Sequence, residues 1–106
     1  MAYEVTFLEI SGAQDSADPK ASIIYRFEIV DGPRRARADV VLSHPGVEII
    51  EKSGKDPRSA ARIALDRLLR SGRDPFVSPV FLQIPYGHAA YFSKQGNYNA
   101  LPVLTD

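Results

Sequence analysis

Regular alternation of apolar and polar residues predicts three β-strands in the first half of the chain. Residues 3–7 alternate in this way, and the pattern shifts phase at Leu8, which indicates a bulge or a strand buried on both faces. Residues 22–31 show the cleanest alternation, and residues 36–42 repeat it. The Asp-Gly-Pro-Arg sequence at residues 31–34 is typical of a turn, so we expect these two strands to form an antiparallel hairpin.

Two later segments have weaker strand patterns. Residues 47–52 follow a break at residues 44–46, and they are interpreted as a short fourth strand or as the third strand continuing past a kink. Residues 76–84 are apolar, but Pro79 interrupts them and Pro85 ends them. Because proline cannot donate a hydrogen bond to a neighbouring strand, this segment is predicted to lie at the edge of a sheet.

Residues 57–71 have the pattern of an amphipathic helix. Asp56 suits the N-cap, Pro57 suits the first helical position, and Gly72 marks the end of the helix. The apolar stripe of this helix consists of Ala60, Ala61, Ala64, Leu65 and Leu68.

These elements predict an α+β fold, a two-layer sandwich of an antiparallel sheet and one helix on one face. The expected sheet has three to five strands, and the order along the chain is β-β-β-(β)-α-β. We expect Leu65 and Leu68 to anchor the helix on the strand face that carries Tyr25, Phe27 and Ile29.

The length and composition are those of one domain. A chain of 106 residues with 44% hydrophobic residues can bury a core without metals or disulfides, so residues 1–106 are interpreted as a single domain. Residues 86–106 show no sustained periodicity. We expect them to form an irregular tail that folds back on the domain or lies at an interface.

The absence of cysteine excludes thiol catalysis, Cys-ligated zinc and iron–sulfur clusters. No apolar run approaches the roughly 20 residues of a membrane-spanning helix, and the first residues lack the pattern of a secretory signal. We therefore expect a cytoplasmic protein without a membrane partner. The net charge of zero indicates no particular partner.

Only two histidines, His44 and His88, are present, and neither has the spacing of a metal-ligand set. No nucleophile motif accompanies them. We predict no catalytic residue, no metal site and no cofactor. The sequence favours a protein that is not an enzyme. An enzyme or small-ligand binder that uses either histidine is the third of three functional alternatives.

The basic residues are concentrated in the middle of the chain. Residues 34–73 hold ten bases and five acids, whereas residues 1–33 hold two bases and six acids. Binding of RNA or DNA phosphates by this basic helix and turn is the second alternative. The opposing interpretation is a solvated face neutralised by acids such as Asp56 and Asp66. The candidate nucleic-acid contacts are Arg34, Arg35, Arg37, Arg58 and Arg62.

Six of the ten aromatic residues lie between residues 76 and 98. Aromatic rings among Gly, Gln and Asn are common at protein contact surfaces, but they can equally pin a tail onto its own domain. The first functional alternative is therefore a non-enzymatic interaction or regulatory module, either a homodimer or part of a larger assembly, that uses the edge strand and tail. The candidate interface residues are Phe76, Phe81, Tyr86, Tyr91, Phe92 and Tyr98.

Overall fold

The computed structural model describes residues 3–12, 22–95 and 101–106. The predicted α+β fold is confirmed, with a four-stranded mixed sheet and three helices packed together. The strands are β1 (Glu4–Gly12), β2 (Ser22–Asp31), β3 (Arg34–Ser43) and β4 (Val80–Ile84). The helices are α1 (His44–Lys52), α2 (Pro57–Arg70) and α3 (Tyr86–Gln95).

The first three strands form an antiparallel meander, as the alternation predicts. The register between β1 and β2 shifts between Phe7 and Glu9, so the phase change in the sequence marks a β-bulge. Strands β2 and β3 pair along their whole length up to Asp31 and Arg34. The two-residue turn between them begins with Gly32 at φ 59°, a positive angle that glycine adopts without a steric penalty.

Strand β4 pairs with β3 in the parallel direction, so the sheet is mixed and the expectation of a purely antiparallel sheet is wrong in this part. The physical reason is the connection, because α1 and α2 carry the chain back across the sheet before β4 begins. The sheet order is β1-β2-β3-β4, which confirms the predicted edge position. The strand is shorter than the predicted 76–84 segment, since it begins directly after Pro79.

Residues 47–52 are helical rather than a fourth strand. The helix begins because the Ser43 hydroxyl accepts a hydrogen bond from the Gly46 N–H at 3.2 Å and Pro45 lies in the first turn. Val47 and Ile50 then lie on one buried face, at the spacing of one helical turn. The break at residues 44–46 is therefore a helix start, not an interruption between strands.

The expectation of an irregular tail is wrong for residues 86–95, because they form helix α3. The carbonyl of Pro85 accepts the N–H groups of His88 (3.0 Å) and Ala89 (3.2 Å) in its first turn. Ala89 and Phe92 are buried on the core side of this helix. Residues 101–106 are described without regular structure, and residues 96–100 lie outside the described ranges.

The core lies between one face of the sheet and the helices. The predicted helix is confirmed as α2, and its apolar stripe is fully buried. Leu65 and Leu68 belong to the same hydrophobic cluster as the β2 side chains Tyr25, Phe27 and Ile29, as expected. On the opposite face of the sheet, the described side chains are half-buried or exposed apart from Val41. That face is crossed by an ion-pair ladder that joins Glu9, Arg26 and Asp39.

Candidate interaction surface

The first half of β3 has a free edge. Strand β4 pairs with β3 only from Ala38 onward, so among the described residues no strand pairs with residues 34–37 on the side away from β2. Residues 75–79 run beside this edge and leave a cleft of about 520 Å³. We call it the edge cleft; its walls are formed by Glu28, Arg35, Ala36, Arg37 and residues 75–79.

Arg73 organises the segment that forms one wall of the edge cleft. Its guanidinium donates hydrogen bonds to the carbonyls of Asp74 (2.6 Å), Ser78 (3.1 Å) and Pro79 (3.1 Å). It also donates two bonds, of 3.0 and 2.9 Å, to the carboxylate of Asp106. The planar, five-donor guanidinium is suited to this role because it can serve several acceptors at fixed angles. We call Arg73, residues 74–79 and residues 101–106 the Arg73 clasp.

Asp106 covers part of the β4 edge. Its carboxylate accepts the Phe81 N–H at 3.3 Å as well as the Arg73 bonds, and its side chain is only 11% exposed. Hydrogen bonding to Arg73 lowers the pKa of Asp106, although burial opposes the shift. The carbonyl of Leu101 accepts a further hydrogen bond from Arg67 on α2. The described end of the chain therefore folds back and meets the edge strand.

Phe76 forms a fixed wall of the edge cleft. Its ring lies 5.8 Å from the Tyr3 ring, and the Arg34 guanidinium lies 4.3 Å from its centroid on a second side. The Phe76 N–H donates to Asp74 Oδ1 at 2.9 Å, and Arg34 also binds the Asp31 carboxylate. These contacts orient the ring, so its position does not depend on a partner.

Apolar surface and one unpaired cation complete the edge cleft and its surroundings. Val77 is 81% exposed at the cleft, and Phe81 on β4 is 52% exposed. The Arg35 guanidinium is paired with Glu28 at 2.8 Å. Arg37 is exposed, and its guanidinium has no hydrogen-bond or ion-pair partner among the described residues. The surface can therefore accept a segment that brings an acidic side chain and apolar contacts.

The six predicted interface aromatics occupy different environments. Phe76 packs against the core cluster beside the edge cleft, and Phe92 is buried at 6% exposure. Phe81 is exposed near the start of β4, whereas Tyr86 is exposed just beyond its end. Tyr91 is half-buried on α3, and Tyr98 lies outside the described residues. The aromatic rings therefore divide between the edge and the core.

The five predicted nucleic-acid contacts do not share one surface. Arg35 and Arg37 both lie on the sheet face that α2 does not cover. Arg58 and Arg62 are on α2. Four of the five have an acidic neighbour. The pairs are Arg34 with Asp31, Arg35 with Glu28, Arg58 with Asp56 at 3.7 Å, and Arg62 with Asp66 at 3.2 Å.

The two histidines lie on different helices. His44 is the first residue of α1, and His88 is in the first turn of α3. Within residues 3–12, 22–95 and 101–106, no group of three or more His, Asp or Glu side chains could hold a metal ion. None of the helices in these ranges is long and apolar enough to cross a membrane.

The contributions of Arg73, Val77 and Asp106 were missed in the sequence. Arg73 directly follows Gly72 at the end of the predicted helix, and its partners include carbonyls five and six residues later and a carboxylate 33 residues away. No local pattern marks such contacts. Comparison with known proteins found no family model that matches the chain, and no curated protein or solved structure with significant similarity to it.

Proposed function

We propose that the protein is a non-enzymatic interaction module that binds an extended, acidic segment of another protein along the free edge of β3. The single observation that carries this proposal is the edge cleft, where no strand of the described residues pairs with residues 34–37 on one side, beside exposed apolar surface. An unpaired edge offers backbone donors and acceptors to an incoming strand.

Side-chain alternation supports a directional readout by this edge. Arg35 and Arg37 lie on one face of β3 and Ala36 on the other, so an added strand would present alternate side chains to the cations and to the apolar wall. Val77 and the fixed ring of Phe76 supply that wall. Burial of exposed apolar surface of this kind is the main favourable contribution to association.

Charge favours an acidic partner segment. Glu28 already neutralises Arg35, which leaves Arg37 as the cation that can accept a new acidic group. The positive charge of Arg37 would also select against basic segments, because like charges at close range repel each other.

A homodimer formed by pairing of two β4 edges is the competing assembly. It is less well supported, because the Asp106 carboxylate already accepts the outward-facing Phe81 N–H and would have to be displaced. Sedimentation of the full chain separates the two: concentration-dependent dimers that Asp106→Ala strengthens would favour β4 pairing over the partner segment.

The direct test is amide chemical-shift mapping with synthetic peptides of alternating sequence. A glutamate–valine peptide should shift the amides of residues 35–37 and 76–78, whereas a lysine–valine peptide and a glutamate–valine peptide with a central proline should not. Arg37→Gln should weaken the acidic peptide by about fivefold, the upper range for an exposed ion pair. Arg62→Gln on α2 is the matched control and should have no effect. Shifts that are absent, or confined to other surfaces, would refute the proposal.

A further inference from the structure

A second cleft lies at the other end of the β2–β3 hairpin, where α1 meets the start of α2. Its volume is about 550 Å³. Its apolar walls come from three residues on β1, β2 and α1, namely Ile10, Ile23 and Val47. Its polar groups include Tyr25 and the carboxylates of Glu48, Glu51 and Asp56. We call it the helix-junction cleft, and none of its lining residues belongs to the edge cleft.

The three carboxylates are engaged to different degrees. Glu48 is paired with Lys52 at 2.7 Å, one turn later on α1. Asp56 caps α2 by accepting the Arg58 N–H at 3.0 Å, and the guanidinium of Arg58 lies 3.7 Å from its carboxylate. Glu51 makes no side-chain hydrogen bond or ion pair with the described residues. The Glu51 carboxylate thus has no counterion among the described residues.

The cationic group at the cleft is held by other contacts. The Arg58 guanidinium stacks over the Phe7 ring at 4.8 Å from the centroid, besides lying near Asp56. His44 at the start of α1 also lines the cleft. Since Arg58 is shared between Asp56 and Phe7, it leaves the Glu51 charge available to a ligand.

Tyr25 supplies a second polar group that could interact with a ligand in the cleft. The residue is 4% exposed and lines the cleft, yet its hydroxyl has no hydrogen-bond partner among the described residues. Burial, followed by the charges of Glu51 and Asp56, raises the pKa of Tyr25 to about 12, against the opposing charge of Arg58. The hydroxyl therefore stays protonated at neutral pH. The ring is nearly buried, whereas the hydroxyl opens on the cleft, where its oxygen can accept a hydrogen bond from a ligand.

We propose that the helix-junction cleft binds a primary alkylammonium group, with the ammonium between the Glu51 carboxylate and the Tyr25 hydroxyl. An ammonium has three donors and no acceptor, so the carboxylate and the hydroxyl oxygen both complement it. The attached alkyl chain packs against Ile10, Ile23 and Val47. This ligand chemistry occurs both in a lysine side chain of a protein and in a free aliphatic polyamine.

The test is an NMR titration of the full chain with three probes that share the ammonium: butylammonium chloride, cadaverine and Nα-acetyl-lysine N-methylamide. Each should shift the signals of Tyr25, Glu51 and Val47. Tighter binding of the lysine derivative than of butylammonium assigns the site to a lysine of a protein partner, and tighter binding of cadaverine assigns it to a free polyamine. Either result supports the alkylammonium site.

Variants distinguish specific binding of the ammonium in the cleft from a general attraction of cations to acidic surface. Glu51→Gln should weaken butylammonium by about fivefold, and Tyr25→Phe, which keeps the buried ring, by about threefold. Glu4→Gln, which removes an exposed carboxylate on β1 outside the cleft, should leave the affinity unchanged. The proposal is overturned if no probe shifts these signals, if neutral butanol binds as well as butylammonium, or if Glu51→Gln binds like the native chain. None of these outcomes bears on the edge cleft.

Discussion

Two regions of this molecule are held in place by different kinds of interaction. The layer between α2 and β2 is apolar, and Phe27, Ile29, Leu65 and Leu68 in it are at most 2% exposed. The Arg73 clasp is polar, and one guanidinium joins three carbonyls to one carboxylate at the molecular edge. Burial in the first region is non-directional and shared among many side chains, whereas the second region depends on the geometry of a single residue.

This difference matches what each region has to do. A core layer gains stability from every apolar side chain that it buries, so it leaves no apolar surface exposed for a partner. The wall of the edge cleft leaves Val77 exposed, as the proposed binding of a partner segment requires, so burial of that side chain cannot hold the wall in place. Directional hydrogen bonds from Arg73 can order residues 74–79 while leaving their outer surface free.

The largest effect is expected in the apolar layer. Leu68→Ala should lower the free energy of unfolding by ~2–5 kcal/mol, because it removes buried surface and leaves a cavity under α2. The control, Arg62→Ala on the same helix, removes an ion pair with Asp66 between partly exposed groups and should cost less than ~0.5 kcal/mol. Urea unfolding of both variants measures the difference, and similar costs would show that the contribution of the apolar layer is misjudged.

A smaller and more local effect is expected in the clasp. Arg73→Ala should cost ~1.5–3 kcal/mol, since it removes charge-assisted hydrogen bonds from a side chain that is only 21% exposed. Hydrogen exchange should accelerate at residues 76–81 and remain slow in α2. Arg70→Ala is the matched control, because Arg70 is exposed and makes only a 3.4 Å bond to the Asp66 carbonyl. Uniformly faster exchange in the Arg73 variant would mean that the clasp is not a separate region.

The same division explains which elements were predictable from the sequence. The α2 helix and the β2–β3 hairpin have long periodic patterns with turn or cap residues at their ends, so pattern and chemistry agree. The edge position of β4 was predicted from Pro79 and Pro85, because proline cannot donate a hydrogen bond to a neighbouring strand. The α2 helix and the two strands of the hairpin each bury one face over ten or more residues, so their periodicity is clear in the sequence.

The misassigned elements are short. The α1 helix has only nine residues. Residues 44–46 at its start were interpreted as a break, because proline and glycine are common in turns and proline is also common in the first turn of a helix. The α3 helix begins with Tyr86 and Gly87 and has only a weak apolar face. The parallel direction of β4 depends on the connection through α1 and α2, so it was missed when α1 was not recognised as a helix.

The candidate sites were predictable only in part. Phe76 was predicted to be an interface residue, and it lines the edge cleft. The cleft also depends on the Arg73–Asp106 pair, which joins residues that no periodic pattern relates. The helix-junction cleft was not foreseen, because Tyr25 occupies an ordinary inward position on β2. Its side chain becomes part of a cleft only when α1 and α2 are placed around it.

The smallest expected effect concerns the pH dependence of the clasp. The pKa of Asp106 is lowered in the folded state, chiefly by its hydrogen bonds to Arg73. The carboxylate therefore stabilises the fold fully at a pH above its ordinary pKa of 3.8, and this contribution is lost as the pH falls through the lower, folded-state value. At neutral pH, Asp106→Asn should cost about 1 kcal/mol, because the carbonyl bonds of Arg73 remain.

Urea unfolding of the native chain and of Asp106→Asn, measured from neutral pH to below pH 3, should give stability curves that converge in acid. The same substitution made in the Arg73→Ala background should produce a difference that depends much less on pH, since the main partner that lowers the pKa of Asp106 is gone and weaker backbone hydrogen bonds, such as that from the Phe81 N–H, remain. This double-mutant comparison assigns the acid sensitivity to the Arg73–Asp106 pair itself. If the native and Asp106→Asn curves stay parallel, the carboxylate does not hold the clasp, and the order of residues 74–79 must come from the carbonyl contacts of Arg73 alone.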